Sequence, residues 1–187
     1  MSKYLSLAAV FIGILLSSTV LAGPTAETWQ NPVIKAAGDM LPLPNAIFQP
    51  QKDVTYKALF SLTRGNKDPK DMKNMNDGLD HVARAINVFA SAGVPLDHLK
   101  FVVIIHGGAV PVVLDNAHYR KEFGVDNPNI ALIKQLKAAG VEIAVCGQAL
   151  AGYKYEHSWV NPDVKIALSA LSTIIILQQQ GYSLMPM

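Results

Sequence analysis

Cys146 is the only cysteine in the sequence, and its place in the stretch VEIAVCGQALAGY (residues 141–153) makes it the first candidate for chemistry. The apolar residues before it are typical of a buried strand, and the residues after it are typical of a short helix. At a helix N-terminus the helix dipole and free backbone amides stabilise a thiolate. Cys146 is therefore predicted to be either a nucleophile or a small apolar residue packed in the core, which is a common role of buried cysteine.

Two other predicted strands also end in groups that could serve a sulfur nucleophile. Arg64 follows residues 54–63, whose β-branched and aromatic content is typical of a strand, and His106 ends the near-continuous apolar stretch at residues 99–106. Because ligands of open parallel sheets bind beyond the carboxyl ends of the strands, we expect both side chains to share an edge with Cys146. Arg64 and a protonated His106 would stabilise the thiolate by their charge. His106 could equally be a hydrogen-bonded structural group.

Glycine and amide groups complete the predicted site. The pair Gly107-Gly108 is typical of a turn that needs a positive φ, or of a place where a ligand approaches the backbone closely. The residues after Cys146 would supply backbone and side-chain donors. With Cys146 as the nucleophile, the predicted substrate-binding residues are Arg64, His106, Gly107, Gly108, Gly147 and Gln148.

Several other chemistries lack their motifs in this sequence. The glycine pair does not extend to GxGxxG, so no dinucleotide cofactor is expected. The five histidines and one cysteine show neither HxxxH nor CxxC spacing, so no metal site is predicted. The absence of GxSxG disfavours a serine hydrolase. Lys and Arg do not cluster, so nucleic acid is not an expected partner.

The first residues predict export. Lys3 precedes an apolar stretch at residues 5–16, and small or aliphatic residues lead to Ala22, as in a secretory signal that is cleaved after Ala22. An uncleaved anchor is the alternative, but the apolar stretch is shorter than the roughly 20 residues of a membrane-spanning helix. We therefore expect a periplasmic protein that begins at Gly23 and has no stable membrane span.

Export makes the single thiol informative. The formal net charge of the whole chain is +2, and it falls by one when the signal peptide is removed. The remaining chain of about 165 residues suits one domain. Because one cysteine cannot form an intramolecular disulfide, Cys146 in an oxidising compartment is a packed residue, a reactive group or a partner in an intermolecular disulfide.

Alternating strand and helix patterns predict an α/β domain over residues 54–187. Apolar residues recur at helical spacing over residues 79–90, and a second helix is expected at about residues 112–122. Asn127 and Pro128 are typical of an N-cap and first helical position. Strands that alternate with helices predict a parallel sheet that is covered on both faces.

A proline-rich arm precedes this domain. Five prolines in residues 23–53 exclude a helix interior, because each one removes an amide donor and restricts the residue before it. We expect an extended arm on the domain surface, with Ile47 and Phe48 as its apolar anchors.

The tail of the chain has two possible structures. Residues 161–187 could form one long helix capped at Asn161, or a strand (164–168), a helix (170–180) and a last strand (182–185). We prefer the second structure, because Gly181 ends a glutamine-rich turn and short apolar stretches flank the helix.

Three stretches of the sequence resemble the DsrE/DsrF-like family of sulfur-relay proteins, and specifically its exported single-domain branch. They are LKFVVIIHGGAV, NPNIALIKQLKAAGVEIAVCGQAL and LSTIIILQQQGYSLMP. The stretch GVEIAVCGQ is the most specific, because it is similar to the strand that carries the sulfur-accepting cysteine of cytoplasmic relay subunits. Cys146 is the matching residue.

The resemblance implies a three-layer α/β/α domain with a mainly parallel five-stranded sheet and no organic cofactor. It also implies homo- or hetero-oligomers, often trimers or hexamers, and for this chain we expect a homo-oligomer (trimer or hexamer) and a donor or acceptor protein for sulfur. The expected function is a periplasmic carrier, at most sulfurtransferase-like, that holds sulfane sulfur as a persulfide on Cys146. The alternatives are an oligomeric binding module with a structural cysteine and a redox thiol that docks a partner through a mixed disulfide.

Overall fold

The computed structural model of the protein describes residues 28–66 and 68–187. The predicted signal peptide lies outside the described residues. The strands are β1 (Tyr56–Leu62), β2 (Leu99–Ile105), β3 (Glu142–Cys146), β4 (Lys165–Ala167) and β5 (Ser183–Pro186). The α-helices are α1 (Asp77–Ser91), α2 (Asn116–Phe123), α3 (Ile130–Ala138), α4 (Gly147–Tyr153) and α5 (Ala170–Gln179).

The five strands form one parallel sheet in the order β4-β3-β2-β1-β5. The central strands are apolar along almost their whole length, since a strand with both faces covered has no side that needs polar residues. The predicted α/β fold with a parallel five-stranded sheet is confirmed. Within the described part of the chain, no helix combines the length and apolar character needed to cross a bilayer.

The strand order places helices unequally on the two faces of the sheet. The chain steps in one direction from β1 to β4 and then returns across the whole sheet to β5. Crossovers between parallel strands are right-handed, so reversing the direction moves the connecting helix to the opposite face. One face carries the main core, to which α1 and α3 contribute. The other face carries a small cluster covered by α5.

The tail has the preferred strand-helix-strand structure, and β4, α5 and β5 are its parts.

Two helix predictions need correction. In place of one helix at residues 112–122, a 3-10 helix (Gly107–Val113) precedes α2, because Asp115 caps α2 by accepting a hydrogen bond from the backbone nitrogen of His118. The N-cap of α3 is Asn129, and the Asn127 side chain instead accepts from the backbone nitrogen of Asn129 at 3.0 Å.

The proline-rich arm packs on α1 through residues other than those expected. Ile47 and Phe48 were the wrong anchors, because they are 80% and 94% exposed. The buried hydrophobic residues of the arm are Ile34, Ala37 and Met40. They precede the prolines of the PLP stretch, whereas residues 41–50 border a cavity beside the end of α1 and leave Ile47 and Phe48 exposed.

Asn87 on α1 holds the arm in place. Its fully buried side chain accepts hydrogen bonds from the backbone nitrogens of Val33 at 3.0 Å and Ile34 at 2.9 Å. It also donates to the carbonyl oxygens of Ile34, Ala37 and Gly38. The arm has no sheet partner for these backbone groups, so one amide side chain satisfies groups that would otherwise be buried without partners.

Replacing Asn87 by Ala should therefore destabilise the protein by roughly 2–4 kcal/mol, because backbone donors and acceptors of the arm lose their partners in a buried place. Urea unfolding of the wild-type and variant proteins measures this loss. Asn74 is an exposed asparagine whose replacement by Ala is the matched control, and it should change the free energy of unfolding by less than about 0.5 kcal/mol. Equal stability of the two variants would contradict the role given to Asn87.

Candidate functional site at the carboxyl edge of the sheet

The register of the strands places Cys146 beside His106. Ile105 of β2 pairs with Val145 of β3, and each of the two candidate residues follows directly. Cys146 pairs in turn with Ala167 of β4. Parallel strands lie about 4.8 Å apart, so Cys146 has β2 on one side and β4 on the other.

The side chain of Cys146 lies on the α5 face of the sheet, and the residue is 6% exposed. Its cluster contains Leu59, Ile104, Ala144 and Ala170, and the last of these is the first residue of α5. Cys146 occupies the N-cap position of α4, although its side chain makes no capping hydrogen bond. The sulfur is thus held between small and aliphatic side chains at the point where β3 becomes α4.

His106 turns toward β1. Its Nε2 lies 2.8 Å from the Oγ of Ser61, which is 7% exposed. Burial lowers the pKa of His106 below its ordinary value of 6.5, because removal from water disfavours the charged ring. His106 is therefore neutral at pH 7, and it stands beside Cys146 as an uncharged hydrogen-bonding group.

Arg64 lies away from Cys146. It is exposed after the end of β1, and it borders a cavity of about 440 Å³ between β1, β5 and the start of α1. It also borders a second cavity of about 370 Å³, together with Glu122 and Tyr153. Cys146 lines neither cavity, so the structure does not bring the guanidinium and the thiol into one pocket.

Gly107 and Gly108, which follow β2, allow the chain there to pack closely against the segment that follows β1. Gly107 has a φ of 55°, and a Cβ on Gly108 would lie 3.2 Å from the carbonyl oxygen of Thr63. A Cβ on Gly65 would lie 1.9 Å from the carbonyl oxygen of Gly108. The close approach that the glycines permit is therefore made by the backbone after β1.

Gly147 and Gln148 contact the connection between β4 and α5. A Cβ on Gly147 would lie 3.0 Å from the carbonyl oxygen of Ala167. The Nε2 of Gln148 donates to the carbonyl oxygen of Leu168 at 3.3 Å. These residues tie α4 to the segment that enters α5, and this segment is part of the cover of Cys146.

A second group of polar and aromatic residues lies around α2. The ring of His118 stacks on Trp159 at 4.6 Å, and its Nδ1 lies 2.8 Å from the Oδ1 of Asp115. Burial would raise the pKa of Asp115, but hydrogen bonds from His118 outweigh it and lower that pKa. Tyr155 donates to Glu122 at 2.6 Å, and burial together with this carboxylate raises the pKa of Tyr155. These polar side chains therefore bind one another: His118 pairs with Asp115, and Tyr155 pairs with Glu122.

In the described ranges 28–66 and 68–187, no three His, Cys, Asp or Glu residues are placed to hold a metal ion.

Comparison with known proteins agrees with this architecture. A family model described as "DsrE/DsrF-like family" matches residues 57–187. The chain belongs to the DsrE/DsrF-like family. The match covers all of the sheet except Tyr56, the first residue of β1, and leaves the proline-rich arm outside it.

A solved structure supports the fold of this family member. The solved structure is that of a protein of unknown function from Methanobacterium thermoautotrophicum. It matches this chain with a TM-score of 0.50 and 14% sequence identity. The alignment covers 71% of this chain and 99% of the archaeal chain. No curated protein is significantly similar to the sequence. The family and its α/β fold are thereby shown, and a sulfur-relay-related function is the one that the family suggests.

The structure adds Ser61 and Ala170 to the surroundings of the candidate site. Ser61 could have been noticed as the one polar residue among the last four residues of β1, which are all buried. Nothing in the sequence marks Ala170, because it reaches Cys146 only through the crossover that carries α5 over the sheet.

The protonation of His106 can be measured directly by NMR. We expect its ring to titrate with a midpoint below 6.5, because burial disfavours the charged form in the folded protein. In the unfolded protein the ring takes up a proton at a higher pH, so the contribution of His106 to stability is complete above pH 6.5 and declines as the pH falls below it. Titration in urea is the control and should restore the ordinary midpoint. A midpoint at or above 6.5 in the folded protein would disprove the neutral state.

Proposed function

We propose that the protein is a periplasmic sulfur carrier that holds sulfane sulfur as a persulfide on Cys146. The observation that carries the proposal is the position of this single thiol, at the carboxyl end of a central strand in a DsrE/DsrF-like domain. In this proposal the hydrogen-bond donors for a sulfur anion are His106, which follows the neighbouring strand β2, and the first backbone amides of α4. The proposed location rests on the signal-like residues at the start of the sequence.

The proposed reaction moves one sulfur atom between thiols. The Cys146 thiolate attacks the outer sulfur of a donor persulfide, R–S–SH, and forms the bond of Cys146–S–SH. The S–S bond of the donor breaks, and its inner sulfur leaves as R–S⁻, which takes up the proton released by Cys146. Sulfane sulfur is passed on unchanged in oxidation state, so the transfer needs no external oxidant or reductant.

Access to the thiol requires a small displacement of its cover. The connection from β4 to α5 is fastened to α4 by the hydrogen bond from Gln148 to Leu168. Two small residues, Ala144 and Ala170, are buried in the same cluster as Cys146. We infer that displacement of the residues around Leu168 opens the route by which a donor reaches the sulfur.

The burial of Cys146 also favours a second candidate, a binding module in which the cysteine is structural. A packed thiol contributes to the core as a small apolar residue and needs no route to solvent. The two candidates differ in one measurable property, which is whether the native protein takes up sulfur on Cys146.

Incubation with polysulfide followed by intact-protein mass spectrometry tests the carrier function. The wild-type protein should gain about 32 Da for each sulfur atom bound, and dithiothreitol should remove the added mass because a persulfide is reducible. Cys146→Ser should gain none and is the matched control. A wild-type protein that gains no sulfur would refute the carrier and favour the structural cysteine. An adduct with another protein on a non-reducing gel, absent in Cys146→Ser, would instead indicate the redox thiol.

We also propose that the protein is a homo-oligomer that uses the α5 face. Leu168, Leu171, Ile175 and Ile176 expose large aliphatic side chains on and before α5. Residues 166–187 contain no Asp, Glu, Lys or Arg, so this surface offers no charge to a charged partner. A second copy of the chain presents the same uncharged surface, and two such surfaces can pack without placing like charges together. A trimer or hexamer is the form that the resemblance to the family implies.

Replacing Leu171 by Asp should reduce the assembled mass, because a carboxylate at the interface would lose water without gaining a partner. Leu171 is 75% exposed in the single chain, so the change leaves the fold of the subunit intact. Light scattering after size-exclusion chromatography measures the assembly. Leu43→Asp changes an exposed leucine of the arm and should leave the mass unchanged. A monomeric wild-type protein, or equal masses for all three proteins, would contradict the interface.

A further inference from the structure

Ser61 is a buried hydroxyl residue in a strand whose neighbours are apolar. It is 7% exposed and pairs with Ile104 of β2, which belongs to the same small cluster as Cys146. Its side chain thus lies on the face of the sheet that carries the thiol. A buried hydroxyl in such a strand needs a specific partner, since an unpaired polar group is costly there.

The partner of Ser61 is the Nε2 of His106, at 2.8 Å, and within residues 28–66 and 68–187 it is the one hydrogen-bond partner of this hydroxyl. If Nε2 carried the hydrogen, the buried hydroxyl hydrogen of Ser61 would be left without an acceptor. The hydroxyl therefore donates to Nε2. Because a neutral imidazole carries one hydrogen, the hydrogen of the His106 ring is then on Nδ1.

We propose that Ser61 is a positioning residue that fixes this tautomer of His106, so that Nδ1–H is a neutral hydrogen-bond donor to the sulfur anion on Cys146. The proposal rests on the proposed carrier function and assigns a task to a residue outside the sequence-predicted site. Ser61, His106 and Cys146 follow one another across the adjacent strands β1, β2 and β3.

The Nδ1–H group of His106 can donate to the sulfur on Cys146 both before and after the sulfur transfer. The thiolate before transfer and the terminal sulfur of Cys146–S–S⁻ after it are both anions, and each can accept the Nδ1–H hydrogen bond. The ring keeps its hydrogen throughout, so no proton is lost or gained at His106. Burial keeps the ring neutral at pH 7, so it stabilises the anion by a hydrogen bond and not by a charge.

The tautomer is tested by ¹⁵N NMR of the histidine rings in the full protein at pH 7.5. We expect the Nδ1–H form for His106 in the wild-type protein and in Ser61→Thr, which keeps the hydroxyl. Ser61→Ala should give a mixture with the Nε2–H form. A wild-type ring that carries its hydrogen on Nε2 would overturn the proposal.

The effect on the thiol is tested by alkylation with iodoacetamide, which reacts with the thiolate. Ser61→Ala should slow alkylation of Cys146 roughly fivefold, because only the fraction of His106 rings that carry the hydrogen on Nδ1 can then donate to the thiolate. Ser61→Thr should restore the rate to within about twofold of wild type, since it restores the hydrogen bond to Nε2. A rate that is equal in wild type and Ser61→Ala would also overturn the proposal.

This assay does not depend on sulfur transfer. If the wild-type protein takes up no sulfur from polysulfide while alkylation responds to Ser61 as expected, the carrier function fails and the action of Ser61 and His106 on the thiolate stands. If sulfur is taken up by wild type and by Ser61→Ala at the same rate, the carrier function stands and the role of Ser61 fails. Unfolding of Ser61→Ala in urea shows whether a slower rate reflects loss of the fold, and Ser61→Thr supplies the independent comparison.

Discussion

The return of the chain from β4 to β5 is the constraint on which the rest of the structure depends. Since β4 and β5 are the two edges of the sheet, one crossover has to span all five strands, and the rule of right-handed connection places it opposite α1 and α3. One helix of ten residues cannot cover such a face. The start of α5 shields Cys146, while the outer side of α5 exposes the uncharged aliphatic surface. The thiol and the proposed interface therefore belong to the same face of the sheet.

The backbone groups of the arm and of the sheet obtain their hydrogen-bond partners in different ways. The strands satisfy their backbone groups through the parallel ladder, whereas the arm has no strand partner for most of its polar groups. Asn87 satisfies several of them with one side chain, and the Oε1 of Gln135 on α3 accepts from the backbone nitrogens of Lys35 and Ala36. The arm thus contributes Ile34 and Ala37 to the main core although it lies outside the residues that the family model matches.

The spacing of apolar residues and the Gly, Pro and N-cap residues at element ends predicted most of the fold, because they reflect the burial and the limits of whole helices and strands. The continuous apolar stretch of β2 and the helical spacing within α1 gave the elements within a few residues. The signals failed where one local contact decided the outcome. The N-cap at Asp115 makes α2 begin later than the apolar spacing indicated, and Phe48, whose aromatic side chain indicated an anchor, is exposed.

The sequence by itself determined that one thiol ends a buried strand of a parallel sheet, since strand patterns and a unique cysteine are local facts. Only the tertiary structure decided the surroundings of that thiol. The strand order makes His106 the neighbour of Cys146, whereas Arg64 borders other cavities. The crossover from β4 to β5 places Ala170 in the same cluster as Cys146. The hydrogen bond between Ser61 and His106 joins residues 45 positions apart. Such contacts depend on register and on the face of the sheet, which local sequence does not encode.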